Sequence, residues 1–114
     1  MKGPWEDLYG YRRAIRSGNR VISAGTTAPG DTAAGQARAA FEIALNALVG
    51  LGAERSDVVR TRMFVTDRVH ADPVARVHGE LFADVRPVAT LVIVAGLLEP
   101  SMLVEVEVEA EVGT

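Results

Sequence analysis

Leu103 to Val112 reads Leu-Val-Glu-Val-Glu-Val-Glu-Ala-Glu-Val, and this stretch decides the fold. Val104, Val106 and Val108 alternate with Glu105, Glu107 and Glu109, the period of two with which a strand sends successive side chains to opposite faces of a sheet. The valines make one face for helices to cover, and three carboxylates share the other. A carboxylate face of this kind is not the core of a monomer.

Upstream, Val58 to Thr66 is a β-prone run with Thr61, Met63 and Val65 on one face and Arg60, Arg62 and Phe64 on the other. Arg60 and Arg62 suit the glutamates as neutralising partners, across strands or across subunits. Two readings of the charged face follow. Several such sheets meet around an axis in a closed oligomer, or one chain exposes a solvated glutamate face to water.

The remaining elements fit around these two strands. Tyr11 to Ile15 and Val21 to Ala24 are short β runs separated by Ser17-Gly18-Asn19, a hairpin composition. Thr26 to Gly35 is a polar loop in which Asp31 or Thr32 can cap a long helix. In that helix Phe41, Ala44, Leu45, Leu48 and Val49 make an apolar stripe, and Gly50 and Gly52 offer a stop. Asp72-Pro73 predicts a second helix start, with Asp72 as N-cap, and Val74, Val77, Leu81 and Val85 form its stripe before Arg86-Pro87. Thr90 to Ala95 is a further strand, joined to the last one through Glu99-Pro100-Ser101. The order is ββαβαββ: an α+β fold, a mixed sheet with two helices on one face.

At 114 residues the chain is sized for one domain, 1–114. Hydrophobic residues at 48% and charged residues at 24% describe a globular protein. The absence of cysteine removes disulfides, thiolate catalysis and cysteine-based zinc sites. Met1 to Glu6 carries no signal-peptide pattern and no run is long enough to span a bilayer, so a cytoplasmic protein without a membrane partner is expected. A net charge of −3 and few aromatic residues argue against a nucleic-acid partner.

The order and spacing of several segments resemble the Rid family, also called YjgF or L-PSP. These are Tyr11 ahead of Gly18-Asn19, Val-Ile-Ser-Ala-Gly-Thr ending at Thr26, Gln36 opening a long helix, Val58 to Asp67, Arg86-Pro87-Val88-Ala89-Thr90, and Val104-Glu105-Val106-Glu107. The resemblance implies a chorismate mutase-like homotrimer with clefts between adjacent subunits and a small-molecule ligand in each. It also implies cofactor-independent hydrolysis of reactive enamines and imines to 2-keto acids and ammonia.

In the family's founding subgroup a Pro-Ala-Arg-Ser/Thr motif supplies an arginine that grips the substrate carboxylate. Here the motif reads Pro87-Val88-Ala89-Thr90, and Ala89 stands in the arginine position. Ala24 and Ala75 replace the serine and asparagine that the resemblance leads one to expect. With Arg62, His78-Gly79-Glu80 and Met102-Leu103-Val104-Glu105, the chain is therefore similar to the arginine-lacking subgroups, whose substrates are mostly unassigned. Tyr11 occupies the position of the family's cleft tyrosine, and Glu105 that of the glutamate which positions or activates water.

The catalytic candidates are Glu105, as a water-orienting base or as an inter-strand ion-pair partner, and Tyr11, as a rim donor or as an interface aromatic. Arg62 shares a sheet face with Glu105 and offers an anion-binding fork, with Arg13 its rival; neutralising glutamates is the structural alternative. His78, beside Val77 and Leu81, is either a cleft acid or base or a packing residue. Ala89, Leu91 and Gly25 complete the substrate-binding set, and Gly25 also suits close backbone approach. His70 and His78 lack a third spaced ligand, so no metal is expected, and no glycine-rich phosphate loop calls for a cofactor.

The leading reading is a Rid-type hydrolase acting on a small imine or enamine, other than the standard 2-iminopropionate deaminase. The alternative is a non-catalytic, metabolite-binding trimer, motivated by Ala24, Ala75 and Ala89. A ribonuclease or translation inhibitor ranks below both.

Overall fold

The computed structural model describes residues 4–113. Met1, Lys2 and Gly3, the start of the segment read for a targeting signal, lie outside the described residues, as does Thr114. The elements run α1 (Pro4–Tyr9), β1 (Ala14–Ser17), β2 (Arg20–Ser23), α2 (Ala33–Val49), β3 (Val58–Val65), α3 (Ala71–Phe82), β4 (Val88–Ile93) and β5 (Val104–Glu111). Single 3₁₀ turns, Arg55–Asp57 and Arg68–His70, precede β3 and α3.

The sheet order is β1-β2-β5-β3-β4, so the last strand sits in the middle. β3 and β4 are parallel and the other pairs antiparallel, which makes the sheet mixed. A parallel pair needs a crossover, and α3 supplies it.

Val104, Val106 and Val108 are fully buried beneath the helices with Val21, Met63 and Val65. From α2 come Ala37, Ala40, Phe41, Ala44 and Leu48; from α3 come Val74, Val77 and Phe82. Each large apolar side chain so buried contributes about 1.5–3 kcal/mol relative to exposure. Val49, expected in the α2 stripe, is instead exposed, and Phe82 is a core residue that the α3 stripe did not include.

Several boundaries differ from the sequence expectation. Thr32 is the α2 cap, its Oγ1 accepting from Gly35 N at 3.0 Å. Asp72 is not the cap of α3. The preceding 3₁₀ turn, itself capped by Asp67 through Val69 N at 2.9 Å, runs straight into the helix, so His70 takes the N-cap position and Asp72, in the first turn, pairs with Arg76 one turn further on. Arg86 adopts φ 55 after α3, the left-handed turn that redirects the chain into Pro87 and β4. That strand begins two residues earlier than expected, at Val88.

The N-terminal hairpin is also shifted. Tyr11 precedes β1 because α1 ends there: Gly10 lies at φ 76, and the backbone N–H groups of Gly10 and Tyr11 both donate to Glu6 O at 3.0 Å. Among the described residues no helix is long and apolar enough to cross a membrane.

Candidate functional site

The glutamate face of the sheet is opposite the helices, and its register sets which side chains meet. Arg60 pairs with Glu109, Arg62 with Glu107, and Phe64 with Glu105. Glu109 receives three arginines: Arg20 contacts Oε1, Arg62 Nη1 lies 3.3 Å from Oε2 and Arg60 Nε 3.6 Å from it. Arg62 Nη1 is also 3.3 Å from Glu107 Oε1. Arg62 is thus engaged with Glu107 and Glu109, away from Glu105. Ile15, Val88 and Val92 share this face and are exposed.

At Glu105 the sheet departs from regular pairing. Ile22 pairs with Glu109 while Thr26 bridges Val106, so four steps along one strand match three along the other. This is a bulge, and the extra residue falls in Ser23-Ala24-Gly25. Buried Ser23 covers the interrupted ladder, its Oγ accepting from Val108 N at 2.9 Å. The ladder resumes with Thr26 N donating to Val106 O at 2.8 Å and Val106 N to Thr26 O at 3.0 Å.

The bulge carries Gly25 directly over Glu105. A Cβ at Gly25 would overlap Glu105 Oε2 and lie 2.9 Å from its Cδ, so only glycine leaves the carboxylate this room. Glu105 is half-buried, and this burial is the main force pushing its carboxyl above the ordinary range. Repulsion from Glu107 adds to the rise, and the guanidinium of Arg13 opposes it.

Arg13 is held by the same turn, Nη1 donating to Gly25 O at 3.1 Å and to Thr26 Oγ1 at 3.0 Å. Its backbone N–H donates to Glu6 Oε1 at 3.1 Å, tying α1 to the site. Of the two arginines weighed from the sequence, Arg13 is the one beside Glu105.

Glu105, Arg13, Gly25 and Tyr11 line a cavity of about 140 Å³ together with Trp5, Tyr9, Thr27, Leu97, Leu98, Glu99 and Met102. Trp5 and Tyr9 are stacked, ring centroids 5.4 Å apart and planes 10° from parallel. The loop after β4, which supplies Leu97, Leu98, Glu99 and Met102 to the lining, is tethered by buried Gln36 of α2. Its Nε2 donates to Ser101 O at 3.1 Å and to Gly30 O at 3.0 Å, and its Oε1 accepts from Leu103 N at 2.7 Å.

The other candidates lie elsewhere within the chain. His78 is on the helix side of the sheet, Nε2 2.7 Å from the Oγ1 of fully buried Thr61, with its ring 4.8 Å from that of Phe82 and 5.8 Å from that of Phe41. Burial pushes its pKa down. Ala89 and Leu91 pair with Thr61 and Met63 on the edge strand and so share the helix-side face. One chain therefore brings Glu105, Tyr11 and Gly25 together, and leaves Arg62, His78, Ala89 and Leu91 apart from them. Among the described residues no three His, Asp or Glu side chains gather as a metal site.

Sequence reading missed α1 and with it Trp5 and Tyr9. The signal was short but present: Pro4 at the helix start, Glu6 and Asp7 in the first turn, Gly10 after the end. Leu97, Leu98 and Met102 sit in an irregular loop, where no periodicity announces them.

The chain is 44% identical to Rv2704 from Mycobacterium tuberculosis, described as a member of the YjgF/YER057c/UK114 family; the match covers 96% of this chain and 93% of that one, with a TM-score of 0.94. It is also 44% identical to the uncharacterized protein SCO2049 of Streptomyces coelicolor, over 94% of this chain and 85% of that protein. At 22% identity, the Rid-family protein YyfA from Yersinia pestis shares the fold alone, with a TM-score of 0.83 over 90% of this chain and 88% of that one. The Endoribonuclease L-PSP family profile matches residues 6–112. With a match of that extent, the chain belongs to the L-PSP family, the YjgF/Rid proteins.

Proposed function

We propose that the chain is a cofactor-independent hydrolase of a small reactive imine or enamine, working in clefts between the subunits of a homotrimer, and is not a standard 2-iminopropionate deaminase. The observation that carries this reading is Glu105: a half-buried carboxyl of raised proton affinity, fitted against Gly25 in a cavity beside Tyr11 and Arg13. A carboxylate tuned upward in this way is a better base near neutral pH. The exposed Ile15, Val88 and Val92 among the Arg–Glu pairs give the sheet face the mixed character of a subunit interface.

In the reaction, Glu105 takes a proton from water as the water oxygen bonds to the imine carbon and the C=N electron pair moves to nitrogen. Glu105 then returns the proton to nitrogen. Glu105 next takes the hydroxyl proton of the carbinolamine and passes it to nitrogen, so that the C–N bond breaks, the carbonyl forms and ammonia leaves. Tyr11, 36% exposed and part of the cavity lining, donates its hydroxyl proton in a hydrogen bond to the substrate. Arg13, held by Gly25 and Thr26, orders the turn that seats Glu105.

The test is interception of imines made in situ, 2-iminopropionate and carboxylate-free imines alike, by wild type and by Glu105→Gln. Turnover of at least one imine, lost in the variant, is expected; no turnover, or turnover indifferent to the variant, refutes the reading. Sedimentation should give three times the chain mass of 12.1 kDa, and a monomer would refute the trimer.

A further inference from the structure

The cavity at Glu105 has a charge and a lining that bear on what enters it. Two acidic residues, Glu99 and Glu105, line it with one basic residue, Arg13. One Arg13 nitrogen is already committed to Gly25 O and Thr26 Oγ1. Arg62 is held at Glu107 and Glu109 on neighbouring register positions. Within one chain an entering carboxylate therefore meets two acidic residues and one arginine, one nitrogen of which is already engaged by Gly25 O and Thr26 Oγ1.

The rest of the wall is aromatic and apolar. The stacked Trp5–Tyr9 pair lines it together with Leu97, Leu98 and Met102. Aromatic faces beside carboxylates favour an organic cation, because ring quadrupole and charge attract it together. A volume of about 140 Å³ suits a group the size of a benzene ring.

We propose that this site takes an amine-derived imine lacking a carboxylate, bound as its iminium cation, with an apolar or aromatic substituent against Trp5, Tyr9 and Leu98. This rests on the hydrolase reading above and narrows it to a substrate class. The iminium nitrogen faces the carboxylates, and the carbon is presented to the water at Glu105. Water adds its oxygen to that carbon as the C=N pair goes to nitrogen, Glu105 carries the two water protons to nitrogen in turn, and the C–N bond breaks as the carbonyl forms. The balance is one iminium and one water giving one aldehyde or ketone and one ammonium ion, with no oxidant or reductant. The reaction that supplies such a substrate is oxidation of a primary amine, and its products are a carbonyl compound and ammonium.

The experiment compares two imines that differ only in the carboxylate. An amine oxidase makes benzaldimine from benzylamine, and an amino-acid oxidase makes 2-imino-2-phenylacetate from phenylglycine. Semicarbazide traps each imine faster than the carbonyl product, so a fall in the initial rate of semicarbazone formation reports interception by the protein. In parallel, benzylammonium and benzoate are titrated against the fluorescence of Trp5, the only tryptophan.

Interception of benzaldimine should exceed that of the carboxylate-bearing imine by roughly ten- to several-hundred-fold, from the like-charge penalty. Benzylammonium should change Trp5 emission saturably, less tightly in Glu99→Gln, and benzoate should not. Preference for 2-imino-2-phenylacetate would overturn this inference and leave the hydrolase reading standing. Saturable benzylammonium binding without turnover of either imine would support the ligand class and remove the hydrolase. Neither turnover nor binding would overturn both.

Discussion

Replacing Gly25 by alanine should move the Glu105 carboxylate and leave the fold intact. Gly25 does not lie in the left-handed region, so alanine meets no backbone penalty there. The reduced freedom of the unfolded chain favours the alanine variant by about 0.4–1 kcal/mol. The added Cβ, however, sits 2.9 Å from Glu105 Cδ and overlaps Oε2. Non-bonded carbons rest at about 3.5–4.0 Å, so the carboxyl must retreat by roughly 0.6–1.1 Å. The side chain can do this because its end is flexible, whereas the β5 backbone is bound on both sides. Misplacing a reacting group by about 1 Å costs on the order of 10²-fold in rate.

Steady-state interception of the best imine substrate, with a thermal melt on the same preparation, measures both halves of this argument. A hundredfold fall in kcat with an unchanged or slightly higher Tm is expected. Wild-type kcat would show that the carboxylate position does not matter to the chemistry. A collapse of Tm would show that the backbone, not the side chain, absorbs the overlap.

Glu105→Gln should lower kcat by about 10²–10⁴-fold, the usual worth of a positioned general base. Its effect on stability has the opposite sign. Because the folded pKa is raised, the ionised carboxylate weakens the fold increasingly as pH climbs from the unfolded value through the folded one. The variant should therefore melt no lower than wild type at neutral pH, and the difference should close in acid; a lower Tm at neutral pH would contradict the assignment. Gln36→Leu leaves Gly30 O, Ser101 O and Leu103 N without their side-chain partner and should cost about 2–4 kcal/mol in urea unfolding. It should also raise KM, since Leu97, Leu98 and Met102 lose their tether; an unchanged KM would detach Gln36 from the site. His78 should titrate by NMR below the ordinary 6.5, and because the fold resists its protonation, stability should fall as pH drops through that value. The fall should shrink in His78→Gln, and a His78 midpoint above 6.5 would refute the buried placement.

The alternation of Val104 to Glu109 determined by itself that one face of the last strand is core and the other charged, because side-chain direction along a strand depends only on parity. The stripes of Phe41, Ala44 and Leu48 and of Val74 and Val77 likewise determined which helix faces meet the sheet. Glu105, Tyr11 and Gly25 were legible through family spacing. What meets them was not, because sheet order, register and bulge are relations between distant segments. Arg62 shares its face with Glu105 by parity, yet register sets it at Glu107 and Glu109. His78, Ala89 and Leu91 are carried to the helix side by pairing with β3 that the sequence does not display. Only the tertiary structure placed Arg13 beside Glu105, since a one-residue bulge and the end of α1 aim it there. It also brought Trp5, Tyr9, Leu98 and Glu99 around one cavity, from opposite ends of the chain.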